Sequence, residues 1–263
     1  MPGSWLAPLL PSWAEKAAAD SVDHRVAVVG FASTKDMWGI YNNTELLSTQ
    51  STVNYGKADT ADYQDALVSA NAGGGVNSRL TEAIDRLNAE GDTYSEFGID
   101  MANKIFAQYP SGTSEQRQRV IVLFTDGYTA PAHTNDIDYG MSDRAIKNAH
   151  TAKENYKAKV YTIGIFDQAD PARSITEGFS YGNKESEQQA VAANRYMHYV
   201  SSNYENVTDL KSAGTRVENS NFYLAASNAT ELNGIFTTIA SSIETNTTTL
   251  DSTAKVVDLS LIH

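Results

Sequence analysis

The sequence of 263 residues contains no cysteine. That absence excludes disulfide frameworks, thiolate zinc centres and cysteine nucleophiles, and leaves the redox compartment open. The five histidines (His24, His133, His150, His198 and His263) lie far apart and form no H-x-x-x-H pair, so a histidine zinc site is not expected. Positive charge is scarce as well: 20 Lys and Arg stand against 32 Asp and Glu, for a formal net charge of -12 and a pI near 4.8. The summed field repels phosphate backbones, which argues against nucleic acid or an anionic membrane as partner and favours cations or basic protein surfaces. No apolar run reaches the ~20 residues that cross a bilayer, so no membrane insertion is expected within this chain. The opening "MPGSWLAPLLPSWAEK" is apolar, but it has no basic leading segment and is interrupted by Pro8 and Pro11, which makes it a poor signal peptide. Catalytic signatures are missing too. There is no G-x-S-x-G elbow, no G-x-x-x-x-G-K-[ST] loop and no D-x-D-x-T, and "GGGVNS" from Gly73 lacks the lysine that would hold a phosphate. An α/β hydrolase or phosphotransferase is therefore not expected, and neither is any other enzyme.

What is present is a rhythm of apolar runs. Hydrophobic residues make up 41% of the chain, enough for one large domain or two small ones with a sizeable core. "AEKAAADS" (Ala14 to Ser21) reads as the tail of a helix, and "RVAVVGFAS" as a strand buried on both faces. A weaker strand around Asn43 to Ser48 suits a sheet edge, and the region up to "NAGGGVNS" reads as loop. "NSRLTEAIDRLNAEG" has Leu80, Ile84 and Leu87 at helical spacing and stops at Gly91. "GDTYSEFGIDMANKIFAQYP" is a second helix, with Phe97, Met101 and Ile105 on one stripe, Pro110 as terminator and Thr93-Tyr94-Ser95-Glu96 as a capping box. "VIVLFT" is a buried strand. A helix capped by Ser142 follows, then the strand Lys159 to Phe166, a long polar segment with a helix near Gln188 to Ser201, the strand "NFYLAAS", and a closing helix. That last helix is capped by Asn228 and Glu231 and carries Leu232, Ile235, Phe236, Ile239 and Ile243 on one face. Strands alternating with helices at this spacing predict an α/β fold in which a mostly parallel sheet is covered on both faces. Residues 14–244 are expected to be one such domain, preceded by an irregular segment at 1–13. Residues 245–263 are expected to be a Thr-rich linker and either the start of a truncated next module or a dangling tail.

In an open α/β sheet, ligands bind beyond the carboxyl ends of the strands. Asp126 stands there, directly after "VIVLFT". A carboxylate at that edge, a hydroxyl from a neighbouring loop and several waters suit a hard cation such as Mg²⁺. Asp-Gly is also ordinary turn chemistry, and Thr93 is also explained as a helix cap. Both readings stand at this point.

"RVAVVGFAS", "GDTYSEFGIDMANKIF", "RVIVLFTDGYT", "KVYTIGIF" and "FYLAASNATELNGIF" together resemble, in order, the von Willebrand factor type A (VWA) domains of large bacterial surface proteins and pilus-tip adhesins. The resemblance spans roughly residues 14 to 244 and rests on the set of stretches. It implies a doubly wound, Rossmann-like sheet and a protein-binding role in adhesion at the bacterial cell surface, outside the cell, with a host surface or matrix protein as the kind of partner. In this family a metal-ion-dependent adhesion site (MIDAS) takes Mg²⁺, Mn²⁺ or Ca²⁺ on a D-x-S-x-S loop after the first strand, a threonine opening a later helix, and an aspartate after the fourth strand. Thr93 and Asp126 match the last two. No D-x-S-x-S occurs anywhere in the sequence, and the family's first strand, central in the sheet, has no counterpart before Ala14. The expectation is thus a fragment incomplete at its N-terminus, with export signal and anchor outside it and a partial metal site to which Ser33, Thr34 and Asp36 could add. The long polar segments Trp38 to Ala72 and Asp167 to Ser220 are where specificity would vary. The alternative implied by the same family is an intracellular VWA module that binds partners in an ATP-driven machine such as a metal chelatase.

Overall fold

The computed structural model describes residues 14, 24–31, 44–46, 51–53, 63–87, 93–109, 118–125, 129–130, 136–245 and 255–262. They form a mixed α/β architecture whose main sheet runs in the order β3-β2-β1-β10-β7-β8-β9. The strands are β1 (His24–Phe31), β2 (Thr44–Leu46), β3 (Ser51–Val53), β4 (Val68–Ser69), β7 (Arg119–Thr125), β8 (Lys159–Gly164), β9 (Tyr223–Ala225) and β10 (Lys255–Ile262). β5 (Asn71–Ala72) and β6 (Gly75–Val76) make a separate small hairpin. β1, β10, β7, β8 and β9 are mutually parallel. The outer edge of β1 is divided between two antiparallel partners, β4 at Arg25 and Val26 and β2 at Val29 and Gly30. β2 is therefore not the edge strand; β3 lies outside it.

The centre of the sheet corrects the sequence reading. Residues 255–262 are neither the start of another module nor a tail. They are a strand of this sheet, in register with β1 from His24↔Lys255 to Phe31↔Ile262 and with β7 from Arg119↔Val256 to Phe124↔Leu261. The expected gap between β1 and β7 is filled, and the sheet of the described residues is continuous. The physical reason is backbone accounting. β1 and β7 are apolar and buried along nearly their whole length, and facing edges of unpaired N–H and C=O groups in such an interior would each cost free energy comparable to a lost hydrogen bond. A strand from anywhere in the chain that pairs with both edges removes that cost.

Two cores lie on the two faces of the sheet. Alternate residues of β1 and β7 (Ala27, Val29, Phe31; Ile121, Leu123) face one core, which includes residues of α2 (Ser95–Gln108), α3 (Tyr139–Tyr156) and α4 (Ser186–Val200). Their neighbours (Val26, Val28; Val120, Val122, Phe124) face the other, with α1 (Ser78–Asp85) and α5 (Ala229–Thr245). The period of two in a strand explains the division. In α5, Leu232, Phe236 and Ile239 are fully buried at helical spacing. The cap is as expected: Asn228 Oδ1 accepts from Glu231 N at 3.0 Å, while the Glu231 carboxylate accepts from Ser227 N at 2.8 Å.

Two other caps differ from expectation. α3 begins at Tyr139, capped by Asp138, whose Oδ1 accepts from Met141 N at 2.7 Å; Ser142 lies inside the first turn and donates back to the Asp138 carbonyl. α2 has Tyr94 at its cap position with no side-chain cap bond, so the capping box does not form. Gly98 in α2 lies against the end of β1, where a Cβ would run into the Phe31 ring. Of the expected helix at Ala14 to Ser21, only Ala14 is among the described residues.

The amides of Val257, Leu259 and Leu261 should exchange with solvent as slowly as those of β7, since every N–H of a central parallel strand is bonded to a neighbour. Native-state hydrogen exchange checks this, and rapid exchange across β10 would contradict the central placement.

Candidate functional site

The parallel strands finish together. Phe31 is in register with Ile262, Leu261 with Phe124, and Thr125 with Gly164, so the carboxyl ends of β1, β10, β7 and β8 form one crest. Chain direction diverges around β10. From β1 the strands step outward through β2 to β3, and from β7 they step the other way through β8 to β9. Such a reversal opens a crevice at the carboxyl edge.

Thr93 sits beside this edge. Its N–H donates to the carbonyl of Ala130 at 3.3 Å, forming an isolated antiparallel bridge with the segment that follows β7. The segment that leads into α2 is thereby drawn to the exit of β7, the strand that ends at Thr125 just before Asp126. Asp126 itself lies outside the described residues, as do Ser33, Thr34 and Asp36. Among the described residues, no group of three or more His, Asp or Glu side chains could hold a metal ion.

Below the bridge, the start of α2 is pinned by hydroxyls. Ser95 Oγ lies 2.7 Å from Thr129 Oγ1 and 2.7 Å from Tyr196 Oη, and all three side chains are buried. Burial pushes the Tyr196 hydroxyl up to about 12, so it stays protonated and serves as a neutral donor or acceptor. The trio ties the first turn of α2, the segment after β7 and the middle of α4 together. Sequence reasoning missed it because the three residues are far apart in the chain and the stretches that contain Ser95 and Thr129 do not reveal that the two side chains meet each other and Tyr196.

Glu96, the next residue, was expected to reach back to the cap of its own helix. Instead its Oε1 accepts from Arg144 Nη2 at 3.0 Å across to α3, and its Oε2 is buried with no partner. The residue is 1% exposed. Burial raises its carboxyl from 4.5 to about 7, against the opposing pull of its own backbone N–H and of Arg144, with Asp138 adding a smaller upward push.

The long segment between β8 and β9 is largely exposed on either side of α4, yet its backbone is tied down. α4 holds it with a ladder of polar side chains. Gln189 Oε1 accepts from Ile137 N, and its amide donates to Asp136 and to the Lys184 carbonyl. Asn194 accepts from Asp170 N and Tyr223 Oη and donates to the Gln168 carbonyl. Arg195, its guanidinium within 4.5 Å of the ring centres of both Phe179 and Tyr199, donates to the carbonyls of Leu210, Ile175 and Ser212 at 2.7, 2.7 and 3.0 Å. His198 donates from Nε2 to the Pro171 carbonyl and accepts at Nδ1 from Asn203. Its desolvation, and after that the charge of Arg216, lower it to about 4, so the ring is neutral at physiological pH. On α3, Lys153 Nζ donates to the carbonyls of Tyr199, Ser201 and Tyr204, fastening the end of α4. These groups are engaged with backbone. None of them forms a nucleophile and base pair with Ser95 or Thr129.

No family model matches the chain, and neither a curated protein nor a solved structure matches it significantly. No helix among the described residues is long and apolar enough to cross a membrane.

Two substitutions check this description. A carboxyl raised in the folded state keeps its proton while the unfolded chain loses it, so its contribution to stability is full below pH 4.5 and is lost as pH rises to about 7. Glu96→Gln should remove that slope, leaving the variant more stable than the parent at pH 8 by on the order of 3 kcal/mol, as read from urea unfolding across pH; an unchanged slope would contradict the burial of Oε2. Arg195→Met should strip three carbonyls of their donor and cost about 3 kcal/mol or more, with proteolytic cleavage appearing first between Asp167 and Ser220.

Proposed function

We propose that this chain is a protein-binding module with the doubly wound arrangement of a VWA domain, and that it grips a protein partner at the crest above β1, β10 and β7. The observation that carries the reading is the strand order β3-β2-β1-β10-β7-β8-β9 with its reversal around β10. It is supported by the bridge from Thr93 to the segment after β7, which brings together two stretches of the resemblance that lie far apart in sequence. The bacterial cell surface as setting, adhesion as purpose and a host surface or matrix protein as partner extend the same resemblance. The formal charge of -12 favours a partner with a basic face.

Binding rather than catalysis suits the side chains. The buried hydroxyls bond one another, and His198 is committed to a carbonyl and an amide. The family's cation is a different matter. The sequence holds no D-x-S-x-S loop, and among the described residues no carboxylates or imidazoles converge into a cation cage. Thr93 and Asp126 alone leave a hard cation largely hydrated and weakly held. The residues described do not fit a complete site, and the crest is proposed to act through its protein surface.

The test has two arms. Mg²⁺ or Mn²⁺ titrated calorimetrically into the full chain should give no saturable binding up to millimolar concentrations, on the order of the weakest protein sites. The labelled chain, presented to an array of immobilised matrix and cell-surface proteins, should bind one or more of them equally well with and without EDTA, and Asp126→Ala or Thr93→Ala should weaken that binding at least about tenfold. Binding unaffected by both crest substitutions would overturn the proposed surface. Tight cation binding would overturn the ligand count.

A further inference from the structure

The seam between α2 and α3 is partly polar. Glu96 Oε1 accepts from Arg144 Nη2 at 3.0 Å, the Glu96 carbonyl accepts from Asn148 Nδ2 at 2.8 Å, and Asn103 Nδ2 donates to the Asn148 carbonyl at 2.9 Å. Two acceptors on α2, Glu96 Oε2 and Asn103 Oδ1, are buried there without a hydrogen-bond partner. An acceptor left alone in such a place costs free energy, and far more so when its group is charged. The groups that act on the Glu96 carboxyl are few among the described residues. From α3 come the Arg144 guanidinium and, at the cap, the Asp138 carboxylate; from α4 comes Tyr196, whose hydroxyl stays neutral; on α2 itself the other acid, Asp100, is paired with Lys104 at 3.0 Å. Arg144 is the one cation among them that bonds Glu96, and it reaches a single oxygen.

Water is close to this carboxyl, since the Arg144 side chain is 58% exposed while that of Glu96 is 2% exposed. An ionised Glu96 reaches that water only if the first turn of α2 draws away from α3. The same turn is where α2 meets the crest: Ser95 is bonded to Thr129 and Tyr196, and Thr93 is bridged to Ala130. We propose that Glu96 is a proton-operated latch on the crest: protonated, it lets the first turn of α2 stay shut against α3, and ionised, it favours an open turn in which the Thr93 bridge and the Ser95 hydroxyl bonds are released. That this edge serves in partner binding rests on the reading above; the latch itself does not, and it is tested without a partner. Its direction follows from burial. In the shut turn the carboxyl is held up to about 7, and in the open turn it returns to the ordinary 4.5. Opening is therefore rarest below pH 4.5, becomes more frequent across the interval, and levels off above about 7.

Site-resolved amide hydrogen exchange on the full chain, corrected for the intrinsic rate at each pH, reads the opening directly. The amides of Thr93 and Phe97, which donate to the carbonyls of Ala130 and Tyr94, report on the turn. Val122, in the middle of β7, reports on global unfolding. Opening at Thr93 and Phe97 should become at least about tenfold more frequent from about pH 5 to about pH 7.5, and should exceed opening at Val122 throughout. Glu96→Gln should abolish that rise. Arg144→Met, which takes away the donor to Oε1, should carry the rise on above pH 7. Opening at Thr93 that ignores pH, that keeps its pH dependence in Glu96→Gln, or that matches Val122 and so requires the whole chain to unfold, would overturn the latch. So would an Arg144→Met variant whose rise ends at the same pH as the parent's.

Discussion

The fold depends on the pairing of β10 with both β1 and β7. β1 is a strand whose side chains are almost wholly buried on both faces, and β7 is another. Neither can leave an edge open, because water does not reach the backbone groups in such an interior. Everything placed at the crest is referred to this pairing: the ends of β1 and β7 are held at a fixed spacing, and the approach of α2 through Gly98 and the Thr93 bridge then follow.

The second organising feature is α4. Long polar segments in a sequence suggest solvent-exposed loops, and the stretch between β8 and β9 has that composition. Yet α4 carries Gln189, Asn194, Arg195 and His198, all buried, and each one bonds backbone or side chains of the loops around it. Arg195 shows why arginine is used: its planar fork reaches three carbonyls while two aromatic rings lie against the guanidinium. The loop backbone is thus satisfied from the side of the helix, and the helix in turn reaches the crest through Tyr196.

Much of this was legible in the sequence. The strands at Val26, Val120 and Val160 announced themselves by apolar runs, and α5 by Leu232, Phe236 and Ile239 at helical spacing with Asn228 before them. These are local signals, set by periodicity and cap chemistry. The place of "KVVDLSLI" was not legible, because a strand's neighbours are chosen by edges formed more than a hundred residues away. Glu96 was misread for a similar reason: its partner, Arg144, belongs to another helix. The start of α3 was misplaced because Asp138 and Ser142 are both good caps, and the choice fell to the tertiary contacts of Tyr139 and Met141, which are buried. Of the residues singled out for the crest, Thr93 stands where its segment meets the exit of β7. The contacts of the hydroxyl trio and the unpartnered Oε2 of Glu96 beside it have no signature in one dimension.

The position of β10 also sets the order of events on the ribosome. β1 is complete by Phe31, but its partner begins only at Lys255, so at about 5 to 20 residues per second the nascent chain spends roughly ten seconds or more with the inner edge of β1 uncovered. Contacts of such long sequence range close slowly even after release. Biogenesis of this protein is accordingly the stage at which chaperones, temperature and expression level have most leverage over how much of it survives to work.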